Sequence, residues 1–501
     1  MTDALSERQN VQLTGPYDSL RDFVAALEAR GRLIRIKEMD QDRYEATAFM
    51  YRLIDRYGYD AAPGFLIERL KIDGEWREGP IVANLYGGWD VEAMPFGIET
   101  KSDNQDEMYR TVLDNLLNRL DEGGQWKRIK PTVMDSDNAP CKDVILTGDD
   151  IDITKYPWFF NIPADGGRYI NTGTVFTQDD EFGRNVGVYR CMLKGKNKIT
   201  VAPTPGQDGW RMLMGMKARG DQIAKVAIAV GVDPITWAVA ATKFAAYGED
   251  EMEVAGGLKG SPMEMVQCET CDITVPAHAE MIIEGEIPLN ETESEGPYGE
   301  LYGYLGKGFS NTFYMNIKAI THRHQPMFFN SFTGVSADMP KGPQTASEFN
   351  RYKKLIPNLE ALYGPRGAIG VTVISIDKKF VGEGMAAGQH VAASTVWSKV
   401  VIVVDKDISV LNPLNVLHAL GARWQPSTSL IIPQTQIFIP DPSSPKEKMT
   451  SKIVIDATRQ FPEEGGPETF PAVSRILLED GCPDAFELVD SKWDSYFESV
   501  T

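Results

Sequence analysis

From about Pro131 to residue 330 the chain is cut into short runs in which apolar and polar residues alternate, separated by Gly, Pro and Asp turns. The clearest are DVILTG, TGTVFTQ, NVGVYRCML, ITVAP, AKVAIAVG, MEMVQCETCDITVP, AEMIIEGEIP and TFYMNIKAITHR. Successive side chains of a strand point to opposite faces, so a period of two predicts strands with one face buried. Many short strands at this spacing predict a β-barrel or sandwich. The segment GWRMLMGMKARG, residues 209–220, interrupts the series and predicts a helix.

The flanks have a different texture. In SLRDFVAALEAR, residues 19–30, Leu20, Phe23, Val24 and Leu27 share one helical face behind a Ser19–Asp22 capping pair. LIRIKE, PGFLIERL and GPIVANLYG predict strands, and residues 45–57 and 106–120 predict two more helices. Farther on, ASEFNRYKKL opens a helix near residue 345, GVTVISID and KVVIVVD predict buried strands, and LNVLHALGARW predicts a helix between strands. Such alternation predicts α/β structure. The expected class is α/β (α+β), with a mixed region over 1–125, a β-rich region over 126–330 and an α/β region over 345–501.

Charge narrows the partners. Lysine plus arginine number 51 against 71 acidic residues, a net charge of −20, which argues against nucleic acid and anionic membrane surfaces. An anionic ligand needs a local arginine or lysine, or a metal. No stretch is apolar for the length of a membrane span, and MTDALSERQNVQL lacks the basic-then-apolar pattern of a signal peptide. Five scattered cysteines do not make a disulfide framework, which suits a reducing cytoplasm. Cys268 and Cys271 form one C-x-x-C inside an alternating run that reads as a strand, so a structural role is preferred to a metal or redox role. His278, His322, His324, His390 and His418 show no zinc-ligand spacing. Nucleophile elbow, Walker loop and dinucleotide-binding fingerprint are all missing from the sequence.

The most chemically suggestive stretch is ETESEGPYGELYGY, residues 291–304, with Glu295 and Glu300 on either side of a Gly-Pro-Tyr-Gly turn. Pro297 fixes its own φ, and Gly296 and Gly299 tolerate angles other residues avoid. The turn either aims both carboxylates into one cavity, as a general acid with an electrostatic partner, or is a polar loop with two solvated glutamates. Arg190, in NVGVYR, is either a surface arginine or a buried charge that needs a carboxylate, for which Glu295 is the natural partner. Asn185, Asp208 and a glutamate of GEDEMEVAGGLKG are hard oxygen donors suited to Mg²⁺ or Mn²⁺; a solvated acidic loop is the alternative.

Taken in order, these motifs resemble the UbiD-type decarboxylases, which use prenylated FMN. The likeness runs through SLRDFVAALEARGRL, PCKDVILTGDDIDITKYP, DGGRYINTG, NVGVYR, EVAGGLKGSPMEMV, VPAHAEMIIEGEI and EGPYGELYGY to KVVIVVDKDISV, LHALGARWQP and SKIVIDAT, with EGPYGE the most specific element. The resemblance implies a split β-barrel that holds the cofactor, a C-terminal α/β domain that drives oligomerisation to a homodimer or homohexamer, and a hinge helix near 345–356. It implies catalysis by Arg190, Glu295 and Glu300, with Glu300 as proton donor. It implies a cofactor site of Asn185, Val186, Gly187, Val188, Tyr189, Arg190, Gln207, Asp208 and Glu251. Among these, Asn185, Asp208 and Glu251 would bind Mn²⁺ or Mg²⁺, with K⁺ nearby; Glu253 competes with Glu251 in the count. Family members often carry histidine where this chain has Asp208. A flavin prenyltransferase would supply the cofactor, and the substrate would be an aromatic, heteroaromatic or α,β-unsaturated carboxylic acid. Leu301 and MFFNSF, residues 327–332, suit either a flat-ring pocket or core packing. Two competing classes are a non-catalytic flavin-binding or assembly protein on the same fold and an FMN oxidoreductase.

Overall fold

The computed structural model describes residues 11–437, 441–444 and 449–496. Residues 1–10 of the amino-terminal segment read above for a signal pattern lie outside the described residues. The first helix, Leu20–Ala29, starts where expected. The Ser19 hydroxyl accepts from the Asp22 N–H and donates to the Asp22 carboxylate at 2.7 Å, and Leu20, Phe23, Val24 and Leu27 are buried. The strand Leu33–Asp40 pairs in parallel with Gly64–Ile72, which pairs antiparallel with Glu75–Ala83. Phe328–Phe329 completes this four-stranded sheet from far along the chain. Phe328 packs edge-on against Trp158 and Phe329 against Trp237, so both rings serve the core.

The β-rich region is organised on a seven-stranded sheet. Its path runs Lys198–Thr200, Tyr314–His322, Met281–Pro288, Ile223–Val230, Thr174–Asp179, Gly183–Val188, and Val144–Thr147 adds to the Tyr314–His322 strand. Every pairing in it is antiparallel, and the two ends of the path do not pair with each other among the described residues. The run MEMVQCETCDITVP is not the single strand the alternation predicts. Glu264–Gln267 and Thr274–Pro276 pair as a hairpin, and the Cys268 N–H closes its turn on the Ile273 carbonyl at 2.9 Å. The acidic stretch before AGGLKG is also not a loop throughout: Asp250 caps a helix, Glu251–Lys259, by accepting from the Met252 N–H at 2.9 Å.

The last region holds a five-stranded sheet in the order Leu359–Tyr363, Val371–Ile376, Val400–Asp405, Met449–Ala457, Leu430–Gln436. The central pairings are parallel and the outer ones antiparallel. The helix expected near residue 345 spans Lys341–Lys353. It starts earlier because Glu92, from the first region, accepts the N–H groups of Lys341 and Gly342 at 2.7 and 3.1 Å. Arg366 of the last region, with a side chain 4% exposed, bonds both Glu92 and Asp60. One buried guanidinium thus ties the first region, the connecting helix and the last region together. Arg366→Ala leaves the Glu92 carboxylate buried without its cation, which costs about 3–5 kcal/mol. A lowered denaturant midpoint is the expected result, and an unchanged midpoint would show that the tie does not contribute to stability.

Candidate active site

Arg190 lies just past the strand Gly183–Val188, not within it as simple alternation suggests. Its guanidinium spans the two glutamates: one amino group bonds Glu295 Oε2 at 2.8 Å and the other bonds Glu300 Oε1. The rings of Tyr298 and Phe309 flank it, with centroids 5.0 and 5.5 Å away. Tyr169 donates its hydroxyl to Glu295 Oε1 at 2.7 Å, and its ring meets Tyr298 at 4.4 Å. Both oxygens of Glu295, a residue only 1% exposed, are therefore engaged. Burial works against the arginine charge, yet the Glu300 and Glu295 carboxylates hold the Arg190 pKa above its ordinary value. Burial, with the charge of Glu295, pushes the Tyr169 phenol up, so it stays a hydrogen-bond donor.

The turn between the glutamates is clamped from outside. Gly296 has φ +83°, the left-handed region that favours glycine, while Gly299 does not require it. The DGGRY segment holds the turn: Asp165 Oδ1 accepts from the Gly299 N–H at 3.0 Å, and the Gly166 N–H donates to the Pro297 carbonyl at 2.7 Å. Tyr298–Gly299 and Leu305–Gly306 then form a short ladder that carries Glu300 in its loop.

A second group of polar side chains converges on Tyr189. Its hydroxyl accepts from the Gly209 N–H at 3.1 Å and lies 3.5 Å from Asn185 Nδ2. A Cβ on Gly187 or Gly209 would sit 2.5 Å from that hydroxyl, so both close approaches need glycine. Glu251, 7% exposed, accepts from the Val186 N–H at 3.0 Å, and burial pushes its carboxyl up to about 8. Burial also pushes the Tyr189 phenol up to about 12, with Glu251 and Asp208 adding to the shift. Val186 is buried and Val188 packs against the core. Asp208 opens the helix Asp208–Arg219 and bonds Lys243, with Arg211 at 3.6 Å. The N-termini of this helix and of Glu251–Lys259 carry partial positive charge and favour an anion such as a phosphate. Asn185, Asp208 and Glu251 offer side-chain oxygens of the kind that hard divalent ions take.

The neighbouring polar residues have partners of their own. Gln207 Oε1 accepts from the Thr204 N–H at 2.7 Å and from the Thr204 hydroxyl at 3.2 Å, closing its own turn. Glu249 pairs with Arg128 at 2.6 Å, and Glu253 is less buried than Glu251. Tyr169, Tyr298, Phe309 and Lys243 were not indicated by sequence. Only Tyr298, inside the glutamate turn, and Tyr169, inside DGGRY, lay in segments already marked.

Residues 132–336 match the family model described as the UbiD 3-octaprenyl-4-hydroxybenzoate carboxy-lyase Rift-related domain, and residues 339–457 match that of its C-terminal domain. The chain belongs to the UbiD family. It is 29% identical over 482 residues to a phenolic acid decarboxylase of Bacillus subtilis, covering 93% of this chain and 97% of the relative. The structure resembles the closed form of the vanillic acid decarboxylase of Sedimentibacter hydroxybenzoicus, with TM-score 0.78, 26% identity and coverage of 94% and 99% of the two chains. It also resembles an evolved dimeric UbiD-class enzyme from Pelotomaculum thermopropionicum in complex with prFMN, with TM-score 0.74, 26% identity and coverage of 93% and 100%.

The buried Glu251 makes a testable prediction for the metal-free protein. Its folded-state pKa of about 8 lies above the ordinary 4.5, so the fold prefers the protonated carboxyl. That contribution is full below 4.5 and is lost as pH rises through 8. Glu251→Gln stays neutral throughout, so its advantage over the parent in denaturant unfolding should grow with pH across this window. Parallel stability curves for the two proteins would contradict the assignment.

Proposed function

We propose that this protein is a reversible, non-oxidative decarboxylase of an aromatic, heteroaromatic or α,β-unsaturated carboxylic acid that works with prenylated FMN. The observation that carries the reading is the Arg190–Glu295–Glu300 cluster, steadied by Tyr169 and placed two residues past the strand that carries Asn185 and the Val186 N–H bonded by Glu251. Relatives named for phenolic and vanillic acids support an aromatic substrate. When bound, the cofactor supplies an electron sink for the pair left as CO₂ departs.

The residues divide the remaining work. Arg190 provides the local cation that a carboxylate needs in a chain of net charge −20. Glu295 is fixed from two sides by Arg190 and Tyr169, and its side chain is fully buried. Glu300 bonds Arg190 alone among these residues, and its side chain is 14% exposed. A substrate carboxylate that takes over the Arg190 amino group now held by Glu300 frees Glu300, whose side chain is 14% exposed, to take up a proton from solvent and then deliver it to the carbon that loses CO₂. Glu295 stays in place and keeps the guanidinium oriented. Asn185, Asp208 and Glu251 would hold Mn²⁺ or Mg²⁺ against the cofactor phosphate, with K⁺ nearby, and Asp208 would exchange its Lys243 contact for the metal. A flavin prenyltransferase would supply the cofactor. The region over 345–501 would form the contacts of a homodimer or homohexamer; exposed Phe380, Leu414, Leu417, Leu477 and Trp493 support that role. No helix among the described residues is long and apolar enough to cross a membrane, and a cytoplasmic location remains the expectation from composition.

Glu300→Gln should lower turnover by about 100-fold or more, the range lost with a general acid, while flavin content is unchanged. Parent-like rates would remove Glu300 as the proton donor. Asp208→Ala should lower both divalent metal and flavin per protein, read by elemental analysis and absorbance. Unchanged occupancy would show that Asp208 is not a ligand.

A further inference from the structure

The C-x-x-C pair does not sit among apolar residues alone. Cys268, Cys271 and Glu284 are all buried, and the two Sγ atoms and a Glu284 oxygen lie within 4.8 Å of one another. The residues between the cysteines hold the carboxylate in place. The Glu269 N–H donates to Glu284 Oε1 at 2.9 Å, and the Thr270 N–H and hydroxyl donate to Oε2 at 2.7 and 2.8 Å. Lys142, with a side chain 3% exposed, makes its shorter ion pair with Glu269 at 2.9 Å and lies 3.5 Å from Glu284 Oε1. Oε1 thus keeps one good bond and one long contact, which leaves it a lone pair to offer.

The Glu284 carboxylate caps the turn amides and still presents an oxygen within 4.8 Å of both thiols. Carboxylate, thiol and thiol on one side of a hairpin turn are the donor types of a zinc site. Charge agrees with this. Glu269 and Glu284 share the ammonium of Lys142, and Lys225 lies near enough to act on Cys271. A divalent cation that displaces the two thiol protons to water adds no net charge to this buried place.

We propose that Cys268, Cys271 and Glu284 form a binding site for a thiophilic divalent cation, Zn²⁺, that pins the hairpin Glu264–Pro276 to the strand Met281–Pro288. Its sulfur donors separate it from the oxygen donors Asn185, Asp208 and Glu251, which suit harder ions. The tight turn explains the spacing, since the Cys268 N–H bond to Ile273 brings both cysteines onto the same loop.

The test uses the full-length, flavin-loaded protein, incubated with Zn²⁺ under reducing conditions and desalted. Elemental analysis should find retained zinc, and zinc-edge X-ray absorption should show two sulfur neighbours at about 2.3 Å. Cys268→Ser and Cys271→Ser should lose that zinc with flavin content unchanged, and Glu284→Gln should retain it about tenfold or more less tightly. Zinc with only nitrogen or oxygen neighbours would overturn the site, as would no retained zinc in the parent. Free labelling of both Cys268 and Cys271 in zinc-loaded protein, located by peptide mass mapping, would do the same. The absorption spectrum of the parent decides the matter even if a variant fails to fold.

Discussion

A guanidinium held between two carboxylates in a largely closed pocket is the constraint around which the β-rich region is arranged. Taking such charges out of water costs several kcal/mol per ion, and the attraction between them repays it only when the geometry is good and the remaining polar atoms are satisfied. The surroundings of Arg190 meet both conditions. Glu295 receives a second donor from Tyr169, the rings of Tyr298 and Phe309 close the faces of the guanidinium, and Asp165 with Gly166 fixes the turn that carries the glutamates. The asymmetry within the cluster follows: Glu295 is locked, and Glu300 is held by one partner. Two carboxylates of the same type can therefore serve different roles.

A comparable economy links the site to the rest of the chain. The strand that ends at Val188 delivers Asn185 and Tyr189 to the N-termini of two helices and then places Arg190 beyond its end. The polar group around Tyr189 and the ion cluster at Arg190 are thus set by one short segment. At the other end of the molecule, Arg366 and Glu92 fasten the connecting helix Lys341–Lys353 by its first turn. The rest of that helix is held by packing, with Ala346, Phe349 and Tyr352 buried and Asn350 donating to the Gly124 carbonyl at 3.1 Å.

Much of this was legible in the sequence because its signals are local. Ser19 before an apolar face marked the first helix, period-two runs marked the strands of the central sheet, and the Gly-Pro-Tyr-Gly turn marked the two glutamates. Pairing Arg190 with Glu295 followed from the need of a buried charge for a partner. What failed depended on contacts distant in sequence. Alternation carried MEMVQCETCDITVP through as one strand, because the carboxylate of Glu284 that captures the turn amides lies on the next strand. Phe328 and Phe329 suited a pocket by composition, yet they pair with a strand of the first region and pack into the core. Tyr169 carries no local mark of its bond to Glu295.

The most direct measurement is the mass and absorbance of the flavin bound to the protein after co-expression with a flavin prenyltransferase, with metal content determined on the same sample. Prenylated FMN accompanied by a divalent metal is the result that the proposed function predicts. Plain FMN alone, or protein that emerges without flavin despite the prenyltransferase, would contradict the account.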